Sequence, residues 1–150
     1  MRAPPLPVVG LDWRFRVSPS GLHGLGLFAE HAFAAGDVVT ALSGQIVTIA
    51  DVAAIREAAA HRVPHDLLEH FLMECNYIGG VYLLARPLRT VYGYINHSRH
   101  PNCEIRGVAE NGSLHVAAAT DIHIGDEFTL DYRREELPRE YLTGHGSTYL

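Results

Sequence analysis

Apolar and polar positions change period several times along the 150-residue chain. Residues 7–17 alternate Trp13, Phe15 and Val17 with Arg14 and Arg16, the period-two pattern of a half-buried strand. A glycine-rich turn, SGLHGLG, comes next and opens into the apolar Leu27-Phe28-Ala29. Gly36-Asp37 punctuates the chain before a second strand-like stretch, VVTALSGQIV. At Thr48 the vocabulary changes. TIADVAAIREAAAHR is rich in helix formers, with Thr48 and Asp51 arranged like a capping-box start. Pro64 is expected to end that helix, and DLLEHFLME reads as a second short one. From Gly80 strand vocabulary returns in VYLLA. CEIRGV and SLHVAAA flank Asn111-Gly112, a pair that tolerates positive φ and so predicts a hairpin. DEFTLDY is the last strand candidate, and ELPREYLTG closes with a helical turn. The pattern predicts a strand-rich domain interrupted by one helical insert.

Length and composition narrow the class. At 16.5 kDa the chain fits one domain, and 47% apolar with 19% charged residues is a globular balance. No apolar run approaches the ~20 residues that a membrane helix needs. The start, MRAPPLPVVG, lacks the long apolar stretch of a secretory signal. Cys75 and Cys103 form neither a disulfide framework nor a four-cysteine zinc site, which suits a reducing interior. The expected location is intracellular, cytoplasmic if the source is bacterial. The net charge is -5, and all 12 basic residues are arginine, with no lysine. Codon bias of a GC-rich genome explains that choice, and mild acidity speaks against nonspecific nucleic-acid binding while allowing a basic partner. Oligomeric state is not readable.

Three segments carry candidate chemistry. Gly24-Leu25-Gly26-Leu27-Phe28-Ala29 matches a G-x-G-x-x-A dinucleotide fingerprint, but that motif needs a strand before it and a helix after it. Here Gly36 breaks the segment after the turn, the next region reads as strand, and βαβ units are missing. The glycines remain either a structural turn or bare backbone that a cofactor can approach. Tyr92 to Cys103 is dense in short polar side chains with one proline, hence irregular; Asn96, Ser98 and Asn102 read equally as turn formers. GDEFTLDY alone is a turn and a strand ending in an aromatic residue.

In this order, HGLG, INHSRHPNC and GDEFTLDY resemble the SET domain of S-adenosylmethionine-dependent protein-lysine methyltransferases. The resemblance runs over residues 12–133, with 48–75 as the helical insert and 134–150 as a C-terminal segment of a single 1–150 domain. It implies a mainly β (β+α) β-clip fold of small sheets with a knot-like crossing. It implies cofactor contacts from His23, Gly24, Leu25, Gly26, Asn96, His97 and Tyr132, with Tyr132 as the active-site tyrosine. Tyr82, Tyr92, Tyr94 and Leu130 are the candidates for the substrate-lysine channel. The implied partner is a protein with an exposed lysine, a histone or another basic protein, with no direct nucleic acid and no membrane. Leu130 offers no hydroxyl to anchor a water beside the amine, so dimethyl or trimethyl product is expected. A SET module that has lost catalysis and only binds protein is the alternative.

The chain departs from the family pattern in places. Leu42 stands where many members have the tyrosine of a YxG motif, and Gln45 where glutamate is frequent. Gly93 replaces a common arginine, and Arg99 takes the usual cysteine position of the NHSC block. Residues 133–150 contain no cysteine, so channel closure falls to Tyr141, Leu142, Tyr149 or Leu150. His61, His65 and His70 have near-helical spacing, but Pro64 interrupts the register and they read as surface residues, with no metal site.

Overall fold

The computed structural model describes residues 8–59, 62, 74–86, 88–135, 137 and 139–150. Its strands are short and fall into small sheets. β1 (Phe15–Pro19) pairs antiparallel with β2 (Leu25–Ala29). β3 (Val38–Ala41) lies beside β9 (His115–Ala118), which also pairs with β8 (Cys103–Arg106). β4 (Gln45–Thr48) and β5 (Cys75–Ile78) flank β6 (Tyr82–Ala85). The remaining pair is parallel: β7 (Asn96–His97) runs beside β10 (Thr129–Leu130). The helix α1 (Ile49–Ala59) starts where the sequence places it, because Thr48 Oγ1 accepts the Asp51 N–H at 3.0 Å. A short helix, Arg139–Thr143, answers the expected closing turn. The architecture is mainly β, as the sequence implies, and no helix among the described residues is long and apolar enough to cross a membrane.

The core gathers side chains from most of these sheets. Leu27, Val91, Val116 and Phe128 are fully buried, and Phe128 lies 5.6 Å from both Phe15 and Phe33, ring centre to ring centre. Each such ring contributes about 1.5–3 kcal/mol through burial alone. Phe33 and Ile122 exchange backbone hydrogen bonds at 2.9 and 2.8 Å, binding two loops across this aromatic cluster. The cluster fixes the base on which β2, β7 and β10 converge.

Several local expectations change. The first strand begins at Phe15, and Trp13 is 72% exposed. Asp12 is responsible: its carboxylate accepts the Arg14 N–H and guanidinium, and its carbonyl accepts the Phe15 N–H, folding 12–14 into a turn. The 38–47 stretch splits into β3 and β4. Leu42 is buried, and Gly44 has φ +154°, where a Cβ would strike the Ala85 carbonyl. At Asn111-Gly112 only the glycine takes positive φ; Asn111 ends a 3-10 turn and its Oδ1 accepts the Ser113 N–H. β8 and β9 still pair antiparallel, as that hairpin required. DEFTLDY contributes only two residues to β10. β5 is an unexpected strand; its hairpin with β6 turns on Gly79 and Gly80, both at positive φ. The Pro64 stop, His61, His65 and His70, and nearly all of DLLEHFLME lie outside the described residues.

Candidate active site

The INHS segment runs between two other motifs and is bonded to both. Asn96 Nδ2 lies 3.0 Å from the His23 carbonyl, 3.1 Å from the Leu25 carbonyl and 2.9 Å from Glu127 Oε1. The same Glu127 carboxylate accepts the Ser20 hydroxyl at 2.7 Å, and Ser20 Oγ accepts the Leu22 N–H. Gly26 completes this knot of contacts, since a Cβ there would overlap the Glu127 carboxylate. The second glycine of the turn therefore makes room for a carboxylate that holds the turn. Gly24 is different: it has φ +45°, and a Cβ would meet nothing within 4 Å. Gly24 is thus uncovered at the turn, with its carbonyl accepting the Ser20 N–H at 2.8 Å, whereas His23 is bonded through both its N–H and its carbonyl. On the other side, Asn102 Nδ2 donates to the Glu127 carbonyl at 2.8 Å, and its Oδ1 accepts the Thr129 N–H at 2.9 Å. Ser98 acts locally, its Oγ accepting the His100 N–H. The turn-forming role weighed for all three side chains thus holds for Ser98, while Asn96 and Asn102 join distant segments.

His97 and Tyr132 sit at the centre. The Tyr132 N–H donates to His97 Nδ1 at 3.1 Å, which places the imidazole proton on Nε2. Burial pushes the His97 pKa down, outweighing the pull of Asp131, whose Oδ1 is 3.8 Å from Nδ1. Nε2 is buried and has no hydrogen-bond partner among the described residues. A buried donor of this kind is costly unless something accepts from it. The Tyr132 hydroxyl donates to the Ile95 carbonyl, and burial, with Tyr149 and Glu135 behind it, pushes its pKa up. Asp131 goes the other way: the Arg133 guanidinium holds its carboxyl down at about 2.

Tyr149 packs edge-on against both rings, 6.2 Å from His97 and 6.3 Å from Tyr132. Arg99 donates to the Leu150 carbonyl at 2.8 Å, from the position where the family pattern has cysteine. Of the residues weighed for closure, Tyr149 and Leu150 are at the site. Leu142 is exposed, and the Tyr141 side chain lies outside the described set.

The four channel candidates separate. Tyr92 is deeply placed; its hydroxyl donates to Glu135 Oε1 at 2.6 Å and the Arg86 guanidinium lies 5.1 Å over its ring. Tyr94 packs on the core with the Arg89 guanidinium 4.4 Å over its ring. Leu130 is buried in the core, one residue along β10 from Thr129. Tyr82 is 47% exposed and pairs in register with Thr48 and Ile78, away from the contacts that join the other three motifs. Beneath Tyr92, Arg86 and Glu74 form a buried ion pair at 3.2 Å, extended by Asn76 Oδ1, the Ser43 carbonyl and the Thr90 N–H. A side chain at Gly93 would collide with Glu74, which accounts for the missing arginine there. Sequence reasoning missed Glu127, Glu135 and the Ile95 carbonyl. Glu127 had a signal, lying inside the third motif; Glu135 had none beyond its place three residues after Tyr132.

Two features present fit a cofactor that carries hydrogen-bond acceptors beside its sulfonium: the buried Nε2–H of His97 has no acceptor among the described residues, and a Cβ at Gly24 would meet nothing within 4 Å. A SET-domain family model matches residues 24–133. The histone-lysine N-methyltransferase ATX2 of Arabidopsis thaliana is 30% identical over 131 residues, covering 80% of this chain and 11% of the relative. The histone H3-lysine(4) N-trimethyltransferase ATX1 of the same plant is 29% identical over 131 residues, with the same two shares. The histone-lysine N-methyltransferase TRX1 of Oryza sativa subsp. japonica is 30% identical, covering 80% of this chain and 12% of the relative. This chain thus spans about a tenth of the length of the curated relatives it matches. The match takes in the turn, the Asn96–His97 crossing and Tyr132 together, and the chain belongs to the SET-domain family.

Proposed function

We propose that the chain is an active protein-lysine methyltransferase that uses S-adenosylmethionine and acts on a basic protein. The observation that carries this reading is the Tyr132 hydroxyl held on the Ile95 carbonyl, one residue before Asn96 and His97. When bound, S-adenosylmethionine supplies a methyl group on a positively charged sulfur. His97 Nε2–H and the exposed turn at His23 and Gly24, uncovered at the Gly24 backbone, are the parts of the chain that would hold it. Asn96 keeps that turn in place by donating to the His23 and Leu25 carbonyls on either side of Gly24.

Lysine has a reference pKa of ~10.4, so its amine must lose a proton before it can attack. An apolar channel lowers that pKa by desolvation. Tyr132 is a poor base, its own pKa being pushed up by burial. Its part is to aim the nitrogen and, with the Ile95 carbonyl, to present oxygen to the methyl hydrogens. The relatives named for histone lysine make a histone tail the first substrate to try. The test is transfer of radiolabel from S-adenosylmethionine to mixed core histones, with the product hydrolysed to amino acids. Label in methyl-lysine is expected. Cofactor binding with no label in any basic protein would leave the protein-binding module instead.

A further inference from the structure

Two 3-10 turns carry the reaction centre, Val91–Tyr94 ahead of Ile95 and Tyr132–Arg134 ahead of Glu135. Each is closed in the same way: the Ile95 N–H donates to the Tyr92 carbonyl at 3.0 Å, and the Glu135 N–H donates to the Tyr132 carbonyl at 3.2 Å. Each turn also offers a tyrosine hydroxyl to the residue that ends the other. Tyr132 donates to the Ile95 carbonyl, and Tyr92 donates to Glu135 Oε1 at 2.6 Å. The four bonds form a closed circuit, with the Tyr132–Ile95 contact on one side and the Tyr92–Glu135 contact on the other. Sliding one turn past the other would stretch both hydroxyl contacts at once.

The methyl-transfer site uses only the first of those contacts, yet the second is built as firmly. A hydroxyl on a carboxylate oxygen makes a stronger bond than one between neutral groups. Burial pushes the Glu135 pKa up, while the Tyr92 hydroxyl, the Tyr77 N–H, the Arg86 guanidinium and Asn76 all oppose it. Those neighbours leave Glu135 fully engaged within the chain. The Arg86 guanidinium, itself held by Glu74 and the Ser43 carbonyl, lies 5.1 Å over the Tyr92 ring and seats it. We infer that Tyr92 and Glu135 are positioning residues, which set the two turns so that the Tyr132 hydroxyl stays on the Ile95 carbonyl. The catalytic consequence rests on the lysine-methyltransferase reading, in which those two oxygens face the methyl group. A misplacement of about 1 Å at such a centre costs up to ~100-fold in rate. Of the tyrosines weighed for the channel, Tyr92 thus acts from behind the reaction centre.

The test labels isoleucine with carbon-13 at the carbonyl and asparagine with nitrogen-15, because Ile95–Asn96 is the one Ile-Asn step in the sequence. The Ile95 carbonyl signal reads the Tyr132 hydroxyl contact with no cofactor or substrate present, and Tyr132→Phe marks where it falls once that contact is lost. Tyr92→Phe keeps the ring under Arg86 and opens the circuit on its far side. Glu135→Met keeps the length of the side chain and removes its oxygens, so either variant serves where the other folds poorly. Each is expected to move the Ile95 signal toward the Tyr132→Phe position. A signal that stays at the wild-type position, or moves the opposite way, in either folded variant overturns the inference. In initial-rate assays at a temperature where each protein is fully folded, Tyr92→Phe should lower kcat at least about tenfold and leave both KM values unchanged, the split expected of misplaced reacting groups. An unchanged kcat overturns the positioning role, and a raised substrate KM with kcat intact would place Tyr92 in the channel instead. No transfer by the wild type would remove the methyltransferase reading alone, since the Ile95 signal still decides the circuit.

Discussion

His97 takes its tautomer from a backbone group. Because the Tyr132 N–H occupies Nδ1, protonating the ring would break that bond and put charge into a buried place. The folded pKa is therefore depressed below the ordinary value of 6.5. By linkage, the neutral ring's contribution to stability is whole above ~6.5 and is lost as pH falls through the depressed pKa. Nitrogen-15 NMR should find the Nε2–H tautomer at neutral pH and a His97 titration midpoint below 6.5. A midpoint above that value would mean that Asp131, not burial, governs the ring. Asp131 itself acts at lower pH. Its carboxyl is held at about 2 by Arg133, so its contribution persists until strong acid and does not blur the histidine step.

At the scale of elements, two tethers hold the sheets and the C-terminal segment to the site. Arg86 on the end of β6 answers Glu74 ahead of β5, and both side chains are 4% exposed. Arg86→Ala would remove the ion-pair partner of the buried Glu74, and removing one member of such a pair costs about 3–5 kcal/mol. Urea denaturation should show that loss as a lower midpoint with an unchanged slope; a loss below ~1 kcal/mol would mean that water already reaches the pair. The second tether is Arg99 on the Leu150 carbonyl, which seats Tyr149 against His97 and Tyr132. Arg99→Ala should speed hydrogen exchange in residues 145–150 by about fivefold, as for a ~1 kcal/mol hydrogen bond, and leave β9 protected. Equal exchange in both proteins would show that Tyr149 packing alone seats the segment.

These tethers also mark what the sequence could show. Strand periodicity and helix caps reported on neighbours in the chain, so α1, β6 and the β8–β9 pairing were legible. Trp13 was misread because period two says nothing of Asp12, whose carboxylate closes a turn. The motif resemblance names Asn96, His97 and Tyr132, which the fold brings together, but it gave no hint of Glu127, whose carboxylate lies where a Cβ at Gly26 would be. Glu135 and Arg86 carry no local signal at all, since their partners lie 43 and 12 residues away.

For the whole molecule, the charges and the site point the same way. A net charge of -5 with no lysine leaves the chain unable to methylate its own lysine side chains and suits a basic partner. The sheets converge so that the turn at 23–26, the crossing at 96–102 and the β10 end meet at one place, with Tyr132 at their junction. The measurement that bears most directly on this account is the initial rate of methyl transfer by Tyr132→Phe beside wild type, with melting temperatures recorded for both. The variant keeps the ring and its packing and loses only the hydroxyl on the Ile95 carbonyl. A fall of at least about tenfold, ~1.4 kcal/mol of barrier, at nearly unchanged melting temperature is the expected result. A Tyr132→Phe protein that transfers methyl groups at the full wild-type rate would contradict the placement of the reaction at this tyrosine.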